Sequence, residues 1–256
     1  MKILALGDVV SPAGVAYLTE NLWRIRRENG VDFTVVNGEN ASVGNGLDPE
    51  SANAILQAGA DVITGGNHIF KKNSLHRMLD ECDKVIRPAN YPAGTPGCGY
   101  TITCADGYRI LVMNVMGVIY CEPLSCPFET VEAILRREEG KYDISLLDVH
   151  AEATSEKMAL GRYFDGRISA VFGTHTHVQT ADEQIFPGGT GYITDLGFTG
   201  PHDSILGVKS EIITEKLRTH LPKRFEFAEG DVAATGALFD IDASSGRCVS
   251  AQRIKF

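Results

Sequence analysis

Asp8, Glu39, Asn40, Asn67, His68, His150, His175 and His177 are the residues whose types could hold metal ions or move protons. They fall into five short clusters: Gly7-Asp8, Asn37-Gly38-Glu39-Asn40, Gly65-Gly66-Asn67-His68, His150, and Gly173-Thr174-His175-Thr176-His177. Alone, each has an ordinary reading. Asp8 could cap a helix, Asn37-Gly38 could be a turn, Asn67 could satisfy a glycine loop, and His150 could be a hydrogen-bonded core histidine. His175 and His177 are harder to dismiss, because alternate residues of an extended segment point the same way. Carboxylate, amide oxygen and imidazole without thiolate suit Mn, Fe or Zn rather than Cu(I) or an iron–sulfur cluster. The donors outnumber what one tetrahedral zinc needs and fit two ions sharing a carboxylate. Two ions roughly 3.5–4 Å apart are a standard device for phosphoester hydrolysis.

The elements that must position these residues alternate short β-rich runs with amphipathic helices, the pattern of a layered α/β fold. Ile3–Leu6 reads as a buried strand. Ser11-Pro12 offers a cap and a first-turn proline for a helix through Val15, Leu18, Leu22 and Ile25 to Gly30. Phe33–Val36 is a second strand, Asp48-Pro49 opens a second helix, Val62–Thr64 is a third strand, and the spacing predicts another helix over 71–79. Asp106-Gly107 between Tyr100–Cys104 and Tyr108–Val115 is a hairpin signal. Further on, helices are expected over 128–139, 155–164 and 210–221, and strands at Ile144–Val149, Ser169–Phe172, Tyr192-Ile193, Ala237–Ile241 and Cys248–Ile254. All five clusters therefore follow strands, and in open α/β sheets ligands bind beyond the carboxyl ends of strands. With no repeat or long linker, a single domain over residues 1–256 is expected.

In this order the clusters resemble the calcineurin-like metallophosphoesterases, and more closely their YmdB-like branch. Gly-Asp-Val-Val, Asn-Gly-Glu-Asn, Gly-Gly-Asn-His, Asp-Val-His-Ala-Glu-Ala-Thr-Ser-Glu-Lys and Gly-Thr-His-Thr-His-Val-Gln-Thr-Ala-Asp carry that resemblance from Gly7 to Asp182. Thr194-Asp195-Leu196-Gly197 and Thr199-Gly200-Pro201 extend it. Two departures from the general superfamily agree with the branch: Val10 stands where a first-strand histidine is usual, and Glu39 replaces a bridging aspartate. The resemblance implies a four-layer αββα sandwich with two mixed sheets flanked by helices. It implies one metal on Asp8, Glu39, Asn40 and His177, a second on Glu39, Asn67, His150 and His175, and His68 as general acid. Fe or Mn is the expected metal, with Zn also admitted by the donors. The implied reaction is attack by a metal-bridging hydroxide on a small cyclic nucleotide, with a 2′,3′-cyclic nucleotide monophosphate as the expected substrate. The rivals are a phosphomonoesterase or nucleotidase on the same site, and a metal- and nucleotide-binding regulatory protein with little turnover.

Bulk properties narrow the field less. The balance of 24 basic and 33 acidic residues gives a net charge of −9, poorly suited to coating long nucleic acids. Ile3-Leu4-Ala5-Leu6 is too short for an export signal, and no run approaches a membrane span. Six cysteines without a CxxC pair read as reduced thiols, so the expectation is a cytoplasmic protein, with a homo-oligomer left open. No Gly-x-Ser-x-Gly elbow supports serine chemistry, and Gly44-Asn45-Gly46 lacks the Lys-Ser/Thr of a P-loop. His76 and His220 are expected to be solvated on helices, His202 to be a surface histidine, and Arg24, Arg26 and Arg27 to form a solvated face.

Overall fold

The computed structural model describes all 256 residues. Strand β1 (Lys2–Leu6) leads through β2 (Asp8–Val9) into α1 (Ser11–Asn29). Helix α1 presents Leu18, Leu22 and Ile25 to the core and stops at Gly30, whose left-handed φ of 61° lets its amide and that of Val31 bond back to Arg27 and Arg26. Strand β3 (Phe33–Asn37) follows, then α2 (Pro49–Gln57), opened by the Asp48 carboxylate accepting from the Ser51 amide at 2.8 Å, then β4 (Val62–Thr64). Beyond α3 (His76–Glu81) come the hairpin β5 (Tyr100–Ala105) and β6 (Tyr108–Met116), α4 (Pro127–Arg137), β7 (Ile144–His150), α5 (Thr154–Tyr163) and β8 (Ala170–Thr174). The chain closes with β9 (Gln184–Ile185), β10 (Gly191–Ile193), β11 (Phe198–Pro201), α6 (Ser210–Thr219), β12 (Val232–Asp242) and β13 (Arg247–Lys255).

These strands form a seven-stranded sheet, in the order β2-β11-β12-β1-β3-β4 with β13 on β12, and a six-stranded sheet, β5-β6-β7-β8-β10-β9. Three separate cores define the layers. Ile3, Ala5, Phe33 and Val35 of the first sheet meet Ile144, Leu146, Ala170 and Phe172 of the second, face to face. Leu4, Leu6 and Val36 point the other way onto α1 and α2, while Leu147, Val149 and Val171 point outward onto α4 and α5. The period-2 alternation of side chains thus gives each central strand two apolar faces, and the result is the four-layer αββα sandwich. Each fully buried Leu or Ile contributes about 1.5–3 kcal/mol. Strands β1, β3 and β4 run parallel, as do β7 and β8, so within each set the carboxyl ends leave the same edge.

Several local expectations are corrected. Over 71–79 the chain makes 3-10 turns at Ile69–Lys71 and Asn73–Leu75 before the short α3, because Lys72 is extended (φ −111°, ψ 104°) and interrupts the helix. Ser11 is the first residue of α1 rather than its cap, with a left-handed φ of 69°; its amide bonds to the Asn40 carbonyl and its hydroxyl accepts from the Ala13 amide at 3.3 Å. Arg26 is half-buried, clamping Asp61 at 2.9 Å and the backbone of Gly59 and Asp32, while Arg24 and Arg27 are exposed as expected. His76 is half-buried, edge-on to Phe70; His220 is solvated as expected, though it ends α6 in a left-handed conformation instead of lying within it. The two-residue strands β2 and β9, and β11, have no signal of their own; pairing with distant chain creates β2 and β11, and pairing with the nearby β10 creates β9.

Candidate metal centre

All eight sequence-selected residues meet where the carboxyl ends of the two sheets converge. The register aligns Leu6 with Val36 and Asn37 with Thr64, so the loops after β1, β3 and β4 deliver Asp8, Glu39, Asn40, Asn67 and His68 side by side. In the other sheet His150, the last residue of β7, pairs with Thr174, the last of β8, and the loop beyond carries His175 and His177. Glu39 lies at the middle. Its Oε1 is 3.2 Å from His150 Nε2 and 3.4 Å from His68 Nδ1, and its Oε2 accepts from the His68 amide at 2.9 Å. The Asn40 amide nitrogen is 3.0 Å from Glu39 Oε1 and 3.3 Å from His177 Nε2. His150 Nε2 is in turn 3.1 Å from both Asn67 Oδ1 and His175 Nδ1.

These donors fit metal ions better than they fit one another. Ligand atoms of Glu39, His150 and His175 all lie within 4.8 Å of each other. Asp8 is fully buried; its Oδ2 accepts from the His175 amide at 3.1 Å, but its Oδ1 has no hydrogen-bond partner, the nearest basic atom being His177 Nε2 at 3.6 Å. An unpaired buried carboxylate oxygen is costly, and a cation is the partner such an atom lacks. Gly66 passes so close to Glu39 Oε2 and His150 Nε2 that any Cβ would fill the space between them. The cradle therefore requires glycine at that position.

The electrostatics follow from packing charges out of water. Burial works to raise the Asp8 and Glu39 carboxyls, yet His177 beside Asp8 and His150 beside Glu39 hold both below the usual carboxylate range. Burial likewise opposes protonation of His150, but Glu39 and Asp8 push it up to about 9. His175 is driven down to about 4 by burial and by neighbouring His150. Burial lowers His68 against the pull of Glu39.

A second layer, absent from the sequence reading, holds the imidazoles. His150 Nδ1 is 2.9 Å from the Thr174 hydroxyl, which donates to Asp148 Oδ1 at 2.7 Å; Thr64 and Asn37 donate to Asp148 Oδ2 at 2.5 and 3.1 Å. With its hydroxyl proton committed to Asp148, Thr174 accepts the Nδ1 proton of His150, so Nε2, facing Glu39, is the nitrogen placed to take a metal. Burial pushes the Asp148 carboxyl up to about 6 against these donors.

His175 and His177 do not converge by strand alternation. Both are left-handed, with φ of 97° and 61°, in a loop rather than an extended segment. Such backbone costs on the order of 1–3 kcal/mol per residue and needs anchoring. The anchor is Asp195, whose Oδ2 accepts from the Thr176 amide and hydroxyl at 3.2 and 2.8 Å and from the buried Lys157 ammonium at 2.7 Å. Glu156, beside Lys157, accepts from the Val118 and Ile119 amides at 2.9 and 3.2 Å. Two further groups touch the histidines: Glu152 Oε2 lies 3.2 Å from His175 Nε2, and the Leu206 carbonyl 3.3 Å from His177 Nδ1. Glu152 lies inside the Asp-Val-His-Ala-Glu segment around His150; Leu206 carries no sequence signal. His202 is half-buried and stacks on Phe198 at 4.4 Å, a ring that also stacks on His177 at 5.6 Å.

The family model for YmdB-like proteins matches residues 4–254, and the chain belongs to that family. It is 44% identical over 254 residues to the 2′,3′-cyclic-nucleotide 2′-phosphodiesterase of Bacillus subtilis strain 168, covering 99% of this chain and 96% of that protein. It superposes on a hypothetical protein from Thermus thermophilus with a TM-score of 0.93 and 40% identity, over 100% of this chain and 99% of the other. A novel phosphatase from Mycoplasma pneumoniae gives a TM-score of 0.93 at 30% identity, over 100% and 93%.

Proposed function

We propose that the chain is a two-metal phosphodiesterase acting on small 2′,3′-cyclic nucleotides, with residues 1–256 working as one unit. It is a phosphoric ester hydrolase of the YmdB-like family, and the relative from Bacillus subtilis carries the cyclic-nucleotide name at 44% identity. Asp8, Glu39, Asn40 and His177 would hold one ion and Glu39, Asn67, His150 and His175 the other, with Glu39 shared. Fe or Mn is the favoured metal; Zn is compatible with the donors. Such ions supply charge to the phosphoryl oxygens and acidify water at neutral pH. The observation that carries the reading is the orphaned, buried Asp8 Oδ1 within a cluster of six further donors.

The chain's own residues manage orientation and the proton. Asn40 Oδ1 accepts from His68 Nδ1 at 2.7 Å, which fixes that proton and leaves Nε2 as the atom that gains and loses the catalytic one. In the reaction a water oxygen joins phosphorus and gives one proton up to solvent, one ribose oxygen–phosphorus bond breaks, and the departing oxygen takes the proton from His68 Nε2, which solvent then replaces. Thr174 and Asp148 keep His150 in the tautomer a ligand needs, while Asp195 and Lys157 hold the left-handed loop of His175 and His177. Metal analysis of anaerobically purified protein, paired with cyclic and non-cyclic nucleotides, tests the reading. Two ions per chain and kcat/KM about 100-fold or more in favour of the cyclic ester are expected. A preference for monoesters would replace this reading with a nucleotidase, and tight nucleotide binding without product would replace it with a regulatory protein.

A further inference from the structure

Between β11 and β12 runs a segment rich in apolar residues that joins none of the three cores. Helix α6 within it buries no residue at all. The segment instead closes on itself: Val208 bridges both Ile205 and Phe227, the Lys209 amide bonds to the Glu226 carbonyl at 3.0 Å, and the Lys209 ammonium meets the Glu226 carboxylate at 2.8 Å. The Lys216 ammonium sits 4.4 Å from the centre of the Phe225 ring. Gly207, at φ 90°, lies so close to Val10 that a Cβ would collide with it. Val10 thus seats the segment over the metal centre, and the Leu206 carbonyl next to Gly207 reaches His177 Nδ1.

The result is a cavity of about 370 Å³ with two unlike walls. One wall is polar and includes Glu39, Asn40, His68, Glu152, His175 and His177. The other consists of Ile205, Leu206, Val208, Ile213, Phe225 and Phe227, without a single side-chain donor, acceptor or charge. Leu206 and Phe225 remain 46% and 47% exposed, so this wall keeps apolar and aromatic surface uncovered where substrate must enter. A phosphate ester has charge for only the polar wall. A neutral, flat and poorly hydrated group suits the other.

We infer that residues 205–227 form the seat for the substrate's nucleobase, with Phe225 as its stacking platform and Leu206 and Ile213 as its apolar rim. This rests on the cyclic-nucleotide reading above. It makes these side chains specificity determinants of the same site: the phosphate is held by the polar wall and the base by the apolar one. Because the Leu206 carbonyl orients His177, the seat and the centre share one piece of backbone.

The test uses the metal-loaded enzyme as purified, wild type and Phe225→Ala, with 2′,3′-cyclic AMP and with 1,4-anhydroerythritol 2,3-cyclic phosphate, which lacks a base. Loss of one base stack should raise KM for the nucleotide about 10-fold or more and leave the base-free ester unaffected. Binding of 3′-AMP should weaken by a similar factor, and Phe225→Trp should restore both. Equal losses on the two esters, or no loss on either, would overturn the seat. If wild type hydrolyses neither ester yet binds 3′-AMP in a Phe225-dependent way, the seat stands and the cyclic-ester reading fails. If it hydrolyses the nucleotide with no dependence on Phe225, the seat alone fails.

Discussion

The two sheets contribute different chemistry to the centre and hold it by different means. The seven-stranded sheet brings every oxygen donor, Asp8, Glu39, Asn40 and Asn67, on tight loops where glycines let backbone crowd against side chains. The six-stranded sheet brings His150, His175 and His177, and each ring leans on a second group: Thr174 and Asp148, Glu152, or the Leu206 carbonyl. A carboxylate or amide near the backbone is aimed by the chain path itself. An imidazole must also be given a tautomer, which takes a partner at its other nitrogen. The oxygen half is therefore built by backbone geometry, the nitrogen half by partners at the second ring nitrogen, and His68 is the one imidazole supplied from the oxygen side.

That contrast can be broken in order of expected size. Glu39→Gln strikes the donor that touches both halves. Activity should fall by at least about three orders of magnitude, with metal content dropping in elemental analysis; full activity with two ions retained would remove Glu39 from its shared position. His68→Ala, on the oxygen side, should lower kcat by about 10²–10⁴ while leaving metal content unchanged. Metal loss there would make His68 a ligand or a structural residue. On the nitrogen side, Thr174→Val should weaken metal affinity about 10–100-fold in a competition titration, and Thr174→Ser should restore it. A valine variant with unchanged affinity would show that His150 keeps its tautomer without the relay.

The smallest effect lies on the outer face of the nitrogen half. Glu132 on α4 receives a two-pronged bond from Arg167 at 2.6 and 2.9 Å, which holds its carboxyl down at about 2. A carboxyl depressed in the folded state stabilises above its ordinary value, and that contribution disappears as pH falls through the folded one. The urea midpoint of wild type should exceed that of Glu132→Gln slightly near about pH 6, and the gap should narrow toward about pH 3. A gap independent of pH would mean that the pair acts through packing.

Much of this was readable along the chain, for identifiable reasons. The strand Val62–Thr64, the Asp106-Gly107 hairpin, the Asp48 cap and the Gly30 stop all depend on neighbours a few residues away, and each forms as the local pattern predicts. The donor residues were legible because unusual residue types recur just after apolar runs. The family was legible because those clusters keep a fixed order from Gly7 to Pro201. The helix expected over 71–79 failed because Lys72 departs from helical backbone, which periodicity alone does not register.

By itself, then, the sequence determined most of the strands and the inventory of oxygen and nitrogen donors. Only the tertiary structure decided how the donors are held. Thr174 meets His150 from a neighbouring strand, Lys157 and Asp195 are 38 residues apart, and His177 bonds to a carbonyl 29 residues away. The left-handed turns at His175 and His177 exist because Asp195 and Asp8 hold the loop in that shape, whereas local preference favours an extended path. Helix α6 likewise looks like any amphipathic helix in sequence; packing leaves it outside the cores and over the centre. Local preferences act through adjacent bonds, while a tautomer, a strained loop and a cavity wall depend on groups that only folding brings together.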